Sequence, residues 1–387
     1  MSECCSGHGP HAGVSRRSAL AGTIAAAVGG ALFSATACGT ESAETGASPT
    51  TAPAKSPSPG ATPALPDTAL ITLGVQAGPP PIPGKVGISS AVKIGSDVYQ
   101  IDCGLGSFNA FTNAGLVFDN LKSMFITHMH TDHTVDYFSF FLSGGYTARP
   151  GKAAVRVYGP GAAGGLPASR VGNDDPPTVN AANPDRGLTY TTDQLLNAFA
   201  YTSNIFIRDM GVRDIADLVQ VHEIATPPGS DFRNRSPRVA PFPVTEDDNV
   251  KVTATLVSHY DVFPAFAFRF DLKKAGKSIT FSGDTTKSDN LIELAKDTDY
   301  LVHEAEYSLD NAFFSNRFPP DYLVNSHTSA EQVGEVAAAA GAKQVILSHY
   351  ANRIPGGELT DAQWIEKIAQ HYKGTITIAK DGQVFEI

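Results

Sequence analysis

His128-Met129-His130-Thr131-Asp132-His133 follows the apolar run Met124-Phe125-Ile126 after a single threonine, and it is the most informative stretch of the chain. Three imidazoles and one carboxylate therefore lie where a predicted β-strand ends. Neutral imidazole nitrogens and carboxylate oxygens are ligands that Zn²⁺ accepts. Residues two apart in an extended segment point the same way, so His128 and His130 can bind one cation. Asp132 and His133, beyond a turn, can face a second.

Two metal ions need more ligands than one loop supplies, and three later predicted strands also end in suitable side chains. His259 follows Leu256-Val257-Ser258, Asp284 ends the run that begins at Ile279, and His349 follows Val345-Ile346-Leu347-Ser348. Each residue alone is typical of a turn or a helix cap. Layered α/β folds place their sites where strands end, so four such junctions in one chain predict a shared metal site.

On these motifs the sequence resembles the metallo-β-lactamase superfamily, and within it the ribonuclease Z and arylsulfatase-like branch. The matching strings run in the family's order from about residue 70 to the C-terminus, and they are Tyr99-Gln100-Ile101-Asp102-Cys103-Gly104, Ile126 to His133, His259 with Pro264 to Phe270, Phe281-Ser282-Gly283-Asp284-Thr285, Val302-His303-Glu304-Ala305 and Leu347-Ser348-His349. The resemblance implies an α/β fold, a four-layer αββα sandwich with the metals at one edge.

The resemblance also implies a metal-dependent hydrolase with two Zn²⁺ or similar divalent ions. Its pattern places His128, His130 and His259 on one ion, and Asp132, His133 and His349 on the other. Asp284 would bridge them, since a carboxylate offers two oxygens. A metal-bridging hydroxide would be the nucleophile, because paired cations activate water and stabilise the developing negative charge. Asp102 is expected to support a ligand histidine.

A second motif, His303-Glu304-Ala305-Glu306, is similar to the H-E-A-T string of the branch, with glutamate in place of threonine. In this interpretation His303 protonates the leaving group or stabilises an oxyanion, and Glu304 orients it. The candidate catalytic residues are therefore Asp132, His303 and Glu304. His327 is interpreted as the residue before a capped helix, at a position where members of the branch often have histidine.

The N-terminal region predicts export. Residues 1–38 resemble a twin-arginine signal peptide, with Arg16-Arg17 before a small-residue apolar run. Residues 39–67 are rich in Ser, Thr, Pro and Ala and predict a flexible linker. Ala35-Thr36-Ala37 offers a cleavage site and Cys38 a lipid attachment site. The protein is thus expected outside the cytoplasmic membrane, either secreted or, as the favoured alternative, as a membrane-anchored lipoprotein.

Residues 68–387 predict one catalytic domain, with an insert at about 161–249 as a candidate lid. Helices are expected at about 191–208, 288–296, 329–340 and 361–372. The oligomeric state is left open between a monomer and a homodimer.

Three observations favour a small ester-like substrate and no nucleic-acid partner. The formal net charge is −10, which disfavours phosphate-driven binding. The segment Phe270 to Ser278 is short, where ribonuclease Z carries an arm that grips transfer RNA. An exported enzyme would not meet precursor transfer RNA. The preferred substrates are a sulfate ester, phosphodiester, carboxylic ester or lactone. The alternatives are a ribonuclease Z-like phosphodiesterase and, from another class, a non-catalytic metal- or ligand-binding lipoprotein.

Overall fold

Two seven-stranded sheets form the centre of the fold. The computed structural model describes residues 64–170, 176–314, 316, 319–351, 353–354 and 357–387. The predicted signal peptide, Cys38 and nearly all of the predicted linker lie outside these residues. The first sheet has the order β16-β1-β2-β3-β4-β5-β6, and its strands are β1 Thr68–Gly74, β2 Ser89–Ile94, β3 Asp97–Ile101, β4 Leu121–Phe125, β5 Val155–Pro160, β6 Val219–Ile224 and β16 Gln383–Glu386.

The second sheet has the same number of strands and the same kinds of pairing as the first. It has the order β15-β12-β11-β10-β9-β8-β7, and its strands are β7 Phe242–Glu246, β8 Val250–Leu256, β9 Phe266–Leu272, β10 Lys277–Phe281, β11 Tyr300–Ala305, β12 Gln344–Tyr350 and β15 Thr375–Ile378. Counted from β16 in the first sheet and from β7 in the second, three antiparallel pairings are followed by three parallel ones. The parallel strands of each sheet therefore end at a common edge. A small hairpin pairs β13 Arg353–Ile354 with β14 Gly357–Glu358.

Helices flank the two sheets. They are α1 Ser107–Asn113, α2 Thr131–Thr134, α3 Tyr137–Ser139, α4 Leu188–Ala198, α5 Ala200–Met210, α6 Asp289–Leu294, α7 Tyr322–Ser326, α8 Ala330–Ala340 and α9 Asp361–Ile368. Short 3₁₀ segments lie at Phe118–Asn120, Gly145–Thr147, Ile215–Leu218 and Asn311–Phe314, and a π-helical turn at Phe140–Gly144. Within the described parts of the chain, no helix has the length and apolar character needed to cross a bilayer.

The predicted helices agree with the structure, with one break and shifted ends: the first segment is longer than predicted, and α6 and α9 are shorter. The segment predicted at 191–208 is two helices, α4 and α5, divided at Phe199. The Ser329 hydroxyl oxygen accepts the backbone N–H of Gln332, and the Gln332 side-chain oxygen accepts the backbone N–H of Ser329, which completes a capping box at the start of α8. His327 stands just before this cap, as expected.

Apolar side chains fill three interfaces and so define four layers. Phe125 of β4 meets Phe268 and Phe270 of β9 between the sheets, at ring-centroid distances of 5.6 and 4.9 Å. Phe111 of α1 and the buried Phe140 pack on the outer face of the first sheet. Buried Trp364 of α9 belongs to the core of the second sheet. The predicted αββα sandwich is confirmed.

The region predicted as an insert, 161–249, is partly continuous with the sheets. Its later part supplies the edge strands β6 and β7, one to each sheet. Its earlier part holds α4 and α5, and α5 has no buried residue. The role of this earlier part as a lid stays a prediction.

Candidate metal centre

The strand ends bring the seven predicted metal ligands together at one edge of the two sheets. His128 follows β4, His259 follows β8, Asp284 follows β10 and His349 lies in β12. The ligands form two groups, and within each group the ligand atoms lie within 4.8 Å of one another. The first group is His128, His130, His259 and Asp284; the second is Asp132, His133 and His349.

Asp284 lies between the two groups and presents one oxygen to each. Its Oδ2 is 3.7 Å from Nε2 of His259 and 3.9 Å from Nε2 of His128. Its Oδ1 is 3.4 Å from Nε2 of His133 and 3.4 Å from Nδ1 of His349. The carboxylate therefore has the position that a shared ligand of two cations requires.

The remaining ligands lie close to one another within each group. Nδ1 of His130 lies 3.1 Å from Nε2 of His259, and Nε2 of His349 lies 3.3 Å from Oδ2 of Asp132. His349 has a φ of 50°, a left-handed conformation that is uncommon for a side chain of this kind. Such backbone strain is found at sites where the surrounding structure fixes a functional side chain.

Several ligand atoms are buried and have no hydrogen-bond partner in the described structure. They include Nε2 of His128, Nε2 of His133 and Oδ1 of Asp284. An unpaired buried polar atom is costly, and one divalent cation in each ligand group would satisfy these atoms. Burial holds the pKa of His128 well below its usual value and lowers that of His259 to about 3. The lowered pKa favours the neutral ring, which is the state that binds a metal. For His133 and His349 burial lowers the pKa, but the neighbouring carboxylates, Asp284 first among them, outweigh burial and raise it, so these rings would lose a proton on binding a metal. The donor set of imidazoles and carboxylates fits divalent ions.

Residues behind the ligands fix the orientation of their rings. Oδ2 of Asp102 lies 2.9 Å from Nδ1 of His133, as predicted, and Asp102 also accepts hydrogen bonds from the backbone N–H and the hydroxyl of Thr127. Nδ1 of His259 lies 2.8 Å from the carbonyl oxygen of Ser326. In both histidines this contact leaves Nε2 directed at Asp284. Hydrogen bonds of this kind set the tautomer of a metal-binding histidine.

Glu304 contacts His327 through its side chain, which differs from the predicted pairing of Glu304 with His303. Oε2 of Glu304 is 3.4 Å from Nδ1 of His327, and its Oε1 accepts the backbone N–H groups of Thr285 and Thr328. Neighbouring residues of a strand point to opposite faces, so Glu304 cannot orient the side chain that precedes it. The buried His303 ring instead lines a small cavity behind the ligands, with Nδ1 2.6 Å from the Glu304 carbonyl oxygen.

His327 is the site residue that the sequence interpretation undervalued. Its ring centroid is 5.1 Å from that of His259 and 6.3 Å from that of His349, so it borders both ligand groups. Burial lowers the pKa of His327, but the Glu304 carboxylate outweighs burial and raises it to about 9. The available signal was the histidine that the branch often carries before this helix.

Comparisons with known proteins agree with this architecture. A family model described as a Beta-lactamase superfamily domain matches residues 207–350. Ribonuclease Z of Mycobacterium avium (strain 104) is 26% identical over 312 residues, which covers 80% of this chain and 95% of the relative. Ribonuclease Z of Mycobacterium marinum (strain ATCC BAA-535 / M) is 25% identical over 314 residues, covering 80% of this chain and 96% of the relative.

Solved structures show the same fold at low sequence identity. Human tRNase Z, short form, aligns with a TM-score of 0.54 and 19% identity, covering 82% of this chain and 99% of the human chain. The metallo-beta-lactamase fold protein YhfI from Bacillus subtilis aligns with a TM-score of 0.53 and 14% identity, covering 82% of this chain and 99% of that chain. These two likenesses support the fold alone.

The relatives overturn one expectation from the sequence. A small ester substrate and no nucleic-acid partner were predicted, whereas the curated relatives that span most of this chain are ribonucleases. That prediction is wrong. The two sheets and the His and Asp groups at their edge agree with the fold of the matched family model. The chain is a metal-dependent hydrolase with the metallo-β-lactamase fold, and it is similar to ribonuclease Z over 80% of its length.

Proposed function

We propose that this protein is a ribonuclease Z-like phosphodiesterase that hydrolyses a phosphodiester bond in RNA. The observation that carries the proposal is the alignment with ribonuclease Z over 80% of this chain and 95% of the relative. A phosphodiester needs a nucleophile on one side of phosphorus and a stabilised leaving group on the other. The site offers candidates for both tasks.

The residues of the two ligand groups would hold two divalent ions, with zinc suggested by the histidine-rich donor set. His128, His130 and His259 would bind one ion, Asp132, His133 and His349 the other, and Asp284 both. Such ions, when bound, supply a Lewis acid for the phosphate and make water a nucleophile at neutral pH. The chain contributes by keeping these ligands in place.

Asp102 and Thr127 provide part of that placement. Asp102 holds Nδ1 of His133 and is itself held by two hydrogen bonds from Thr127. The carboxylate stabilises the tautomer that donates from Nδ1, so that the Nε2 lone pair faces the site. Because Thr127 and His133 border the same loop, this contact also fixes the loop that carries Asp132.

Glu304 and His327 are suited to the proton transfer. Glu304 raises the pKa of His327 to about 9 against the effect of burial, which favours the protonated ring. It can give that proton to the departing oxygen, as general acid catalysis requires. Glu304 is fixed by the backbone N–H groups of Thr285 and Thr328, and therefore orients the ring. We assign the proton donor to His327 rather than His303, because burial lowers the pKa of His303.

The test is cleavage of a 3′-extended transfer RNA precursor by the purified, metal-loaded protein, with the products mapped at nucleotide resolution. We expect endonucleolytic cleavage that stops on chelation and returns with added zinc. Asp284→Ala is the inactive control. Loss of chelator sensitivity, or no cleavage of RNA by protein that carries its full metal content, would overturn the proposal.

A further inference from the structure

Arg170, in the earlier part of the region 161–249, makes ion pairs with two segments beside the metal centre. Its Nε and Nη2 donate to the two carboxylate oxygens of Asp261 at 2.7 and 2.9 Å, and its Nη1 donates to Oδ2 of Asp321. Asp261 follows the ligand His259 by two residues, and Asp321 directly precedes α7. One guanidinium group therefore joins the loop after β8 to the start of α7.

The two joined segments hold His259 between them. Nδ1 of His259 lies 2.8 Å from the carbonyl oxygen of Ser326, and the backbone N–H of Tyr260 donates to the carbonyl oxygen of Asn325 at 2.7 Å. Asn325 and Ser326 are the last two residues of α7, and His327 follows them. A shift of α7 relative to the loop would therefore disturb the His259 and His327 rings alike.

A series of aromatic contacts leads from Arg170 to His327. The guanidinium carbon of Arg170 lies 4.3 Å from the centroid of the Tyr260 ring, within the range of a cation–π contact. The Tyr260 ring meets Tyr322 of α7 edge-on at 5.0 Å, and Tyr322 lies 6.0 Å from His327. Tyr260 has a φ of 47°, an unfavourable conformation for a bulky residue. Its neighbours must stabilise that conformation, and Arg170 is one of them.

Asp261 also binds a later part of the same region. Nη2 of Arg235 lies 3.1 Å from Oδ1 of Asp261, and Nη1 of Arg235 donates to the carbonyl oxygen of Phe232. The Phe232 ring packs closely on Gly165, where a Cβ would lie 2.5 Å from a ring carbon. The Asp261 carboxylate therefore holds two segments of the region, through Arg170 and Arg235, on the loop that follows His259.

These ion pairs are better suited to fixing a geometry than to stabilising the whole fold. The side chains of Arg170 and Asp321 are 39% and 46% exposed, and ion pairs with such exposure are screened by water and salt. Asp261 is only 19% exposed, and it accepts two hydrogen bonds from one guanidinium group. A bidentate pair of this kind fixes direction as well as distance.

We propose that Arg170 is a positioning residue of the metal centre, which aligns His259 and His327 by holding the loop after β8 against α7. The part that concerns His259 follows from the ligand groups alone, whereas the part that concerns His327 rests on the proposed function. Arg170 acts on these rings through Asp261, Asp321 and the Tyr260 ring. Its loss should therefore slow the chemical step rather than weaken substrate binding.

The experiment compares Arg170→Gln, Arg170→Lys, Asp321→Asn and the double variant that combines Arg170→Gln with Asp321→Asn. Arg186→Gln is the matched control, because Arg186 is an exposed arginine of the same region that donates to Asn183 and lies over the Tyr190 ring. Zinc affinity is measured by competition with a chelator. The kcat and KM are measured with a 3′-extended transfer RNA precursor and with a nitrophenyl phosphodiester, and the melting temperature is measured for every variant.

We expect Arg170→Gln to weaken zinc binding about tenfold, the lower end of the loss that follows when support for a ligand is removed. The kcat should fall for both substrates, by up to about 10²-fold for RNA, with little change in KM. The melting temperature should change by no more than about 4 °C.

The other variants test the route through α7. Arg170→Lys should restore part of kcat, because an ammonium group can still pair with one carboxylate but cannot form the bidentate contact. The double variant should be no worse than Arg170→Gln, because Asp321→Asn removes a link that the first change has already broken.

A higher KM for RNA with unchanged kcat and zinc affinity would overturn the inference, since Arg170 would then contact the substrate. Additive losses in the double variant, or values for Arg170→Gln that equal those of Arg186→Gln, would overturn it as well. If the metal-loaded wild type does not cleave RNA, the proposed function and the part that concerns His327 are wrong. Zinc affinity then still decides whether Arg170 positions His259.

Discussion

The carboxylate of Glu304 lies 3.4 Å from Nδ1 of His327, although the two residues belong to different elements. The backbone joins them, because the N–H of Glu306 donates to the carbonyl oxygen of Thr328, and the N–H of Ala330 donates to that of Glu306. This bridge keeps a protonated imidazole at the border of both ligand groups. The contact makes His327 the better candidate for the proton donor.

Replacement of His327 should affect substrates according to their leaving groups. We expect His327→Gln to retain metal but lose about 10²–10⁴-fold in turnover of a diester with a poor leaving group, the usual contribution of general acid catalysis. A nitrophenyl leaving group needs no proton, so its release should change far less. His303→Gln is the comparison variant. If it, and not His327→Gln, shows the dependence on the leaving group, the donor is His303 as the sequence first indicated.

The rate should also fall on the alkaline side as His327 loses its proton. Burial lowers the pKa of His327 and Glu304 raises it to about 9, and bound cations would lower it again. The alkaline fall of kcat/KM is therefore expected to have its midpoint at a pH between about 6.5 and 9. Glu304→Gln removes the main raising influence, so it should move the midpoint to lower pH. A midpoint that stays in place in Glu304→Gln would contradict this assignment.

Ligands at the ends of apolar strands were sufficient to predict a shared metal site, and the family resemblance implied the layered fold and the division of the ligands into two groups. Such junctions are local features, and parallel pairing brings them to one edge. The contact between Glu304 and His327 was not predictable in this way. The contact depends on the face of β11 from which the Glu304 side chain projects. It also depends on the backbone hydrogen bonds that join Glu306 to the distant segment at Thr328 and Ala330.

The amino-acid composition also could not predict the RNA substrate of the proposed function. A formal net charge of −10 counts the carboxylates of the site without the cations they would bind, and it does not report where the charges lie. The edge strands β6 and β7 are only partly buried, so they lack the continuous apolar run that marks the central strands, and the sequence interpretation included them in an insert.

Metal content tests the shared role of Asp284. We expect about two divalent ions per chain, measured by elemental analysis after gel filtration, and loss of at least one in Asp284→Ala together with turnover. Each Asp284 oxygen faces one ligand group, so its removal weakens both. Asp248→Ala, an exposed aspartate between β7 and β8, should retain both ions. One tightly bound ion in a fully active wild type would contradict a two-ion site.

Export remains a proposal that cell fractionation can test. We expect the full chain to be found outside the cytoplasm, and Arg16→Lys with Arg17→Lys to retain it inside, because the paired arginines are the recognised part of such a signal. Cys38→Ala should change membrane attachment without changing export. A cytoplasmic wild type would place the enzyme where precursor RNA is made and would remove the signal-peptide hypothesis.

The final prediction concerns Asp102, which supports His133, a ligand of the second group only. It holds Nδ1 of His133 at 2.9 Å and has a φ of 53°, a conformation that asparagine tolerates well. Asp102→Asn therefore preserves the backbone and exchanges a charged acceptor for a neutral one. Loss of such a contact typically costs about 10–100-fold in metal affinity, and competition with a zinc chelator should show this loss for the second group. The Thr127 hydroxyl donates one hydrogen bond to this carboxylate, and the backbone N–H donates the other. Thr127→Val removes the first and keeps the second, so it should move zinc affinity in the same direction by a smaller amount. Unchanged zinc affinity in both variants would mean that the surrounding core, rather than Asp102, fixes the ring of His133.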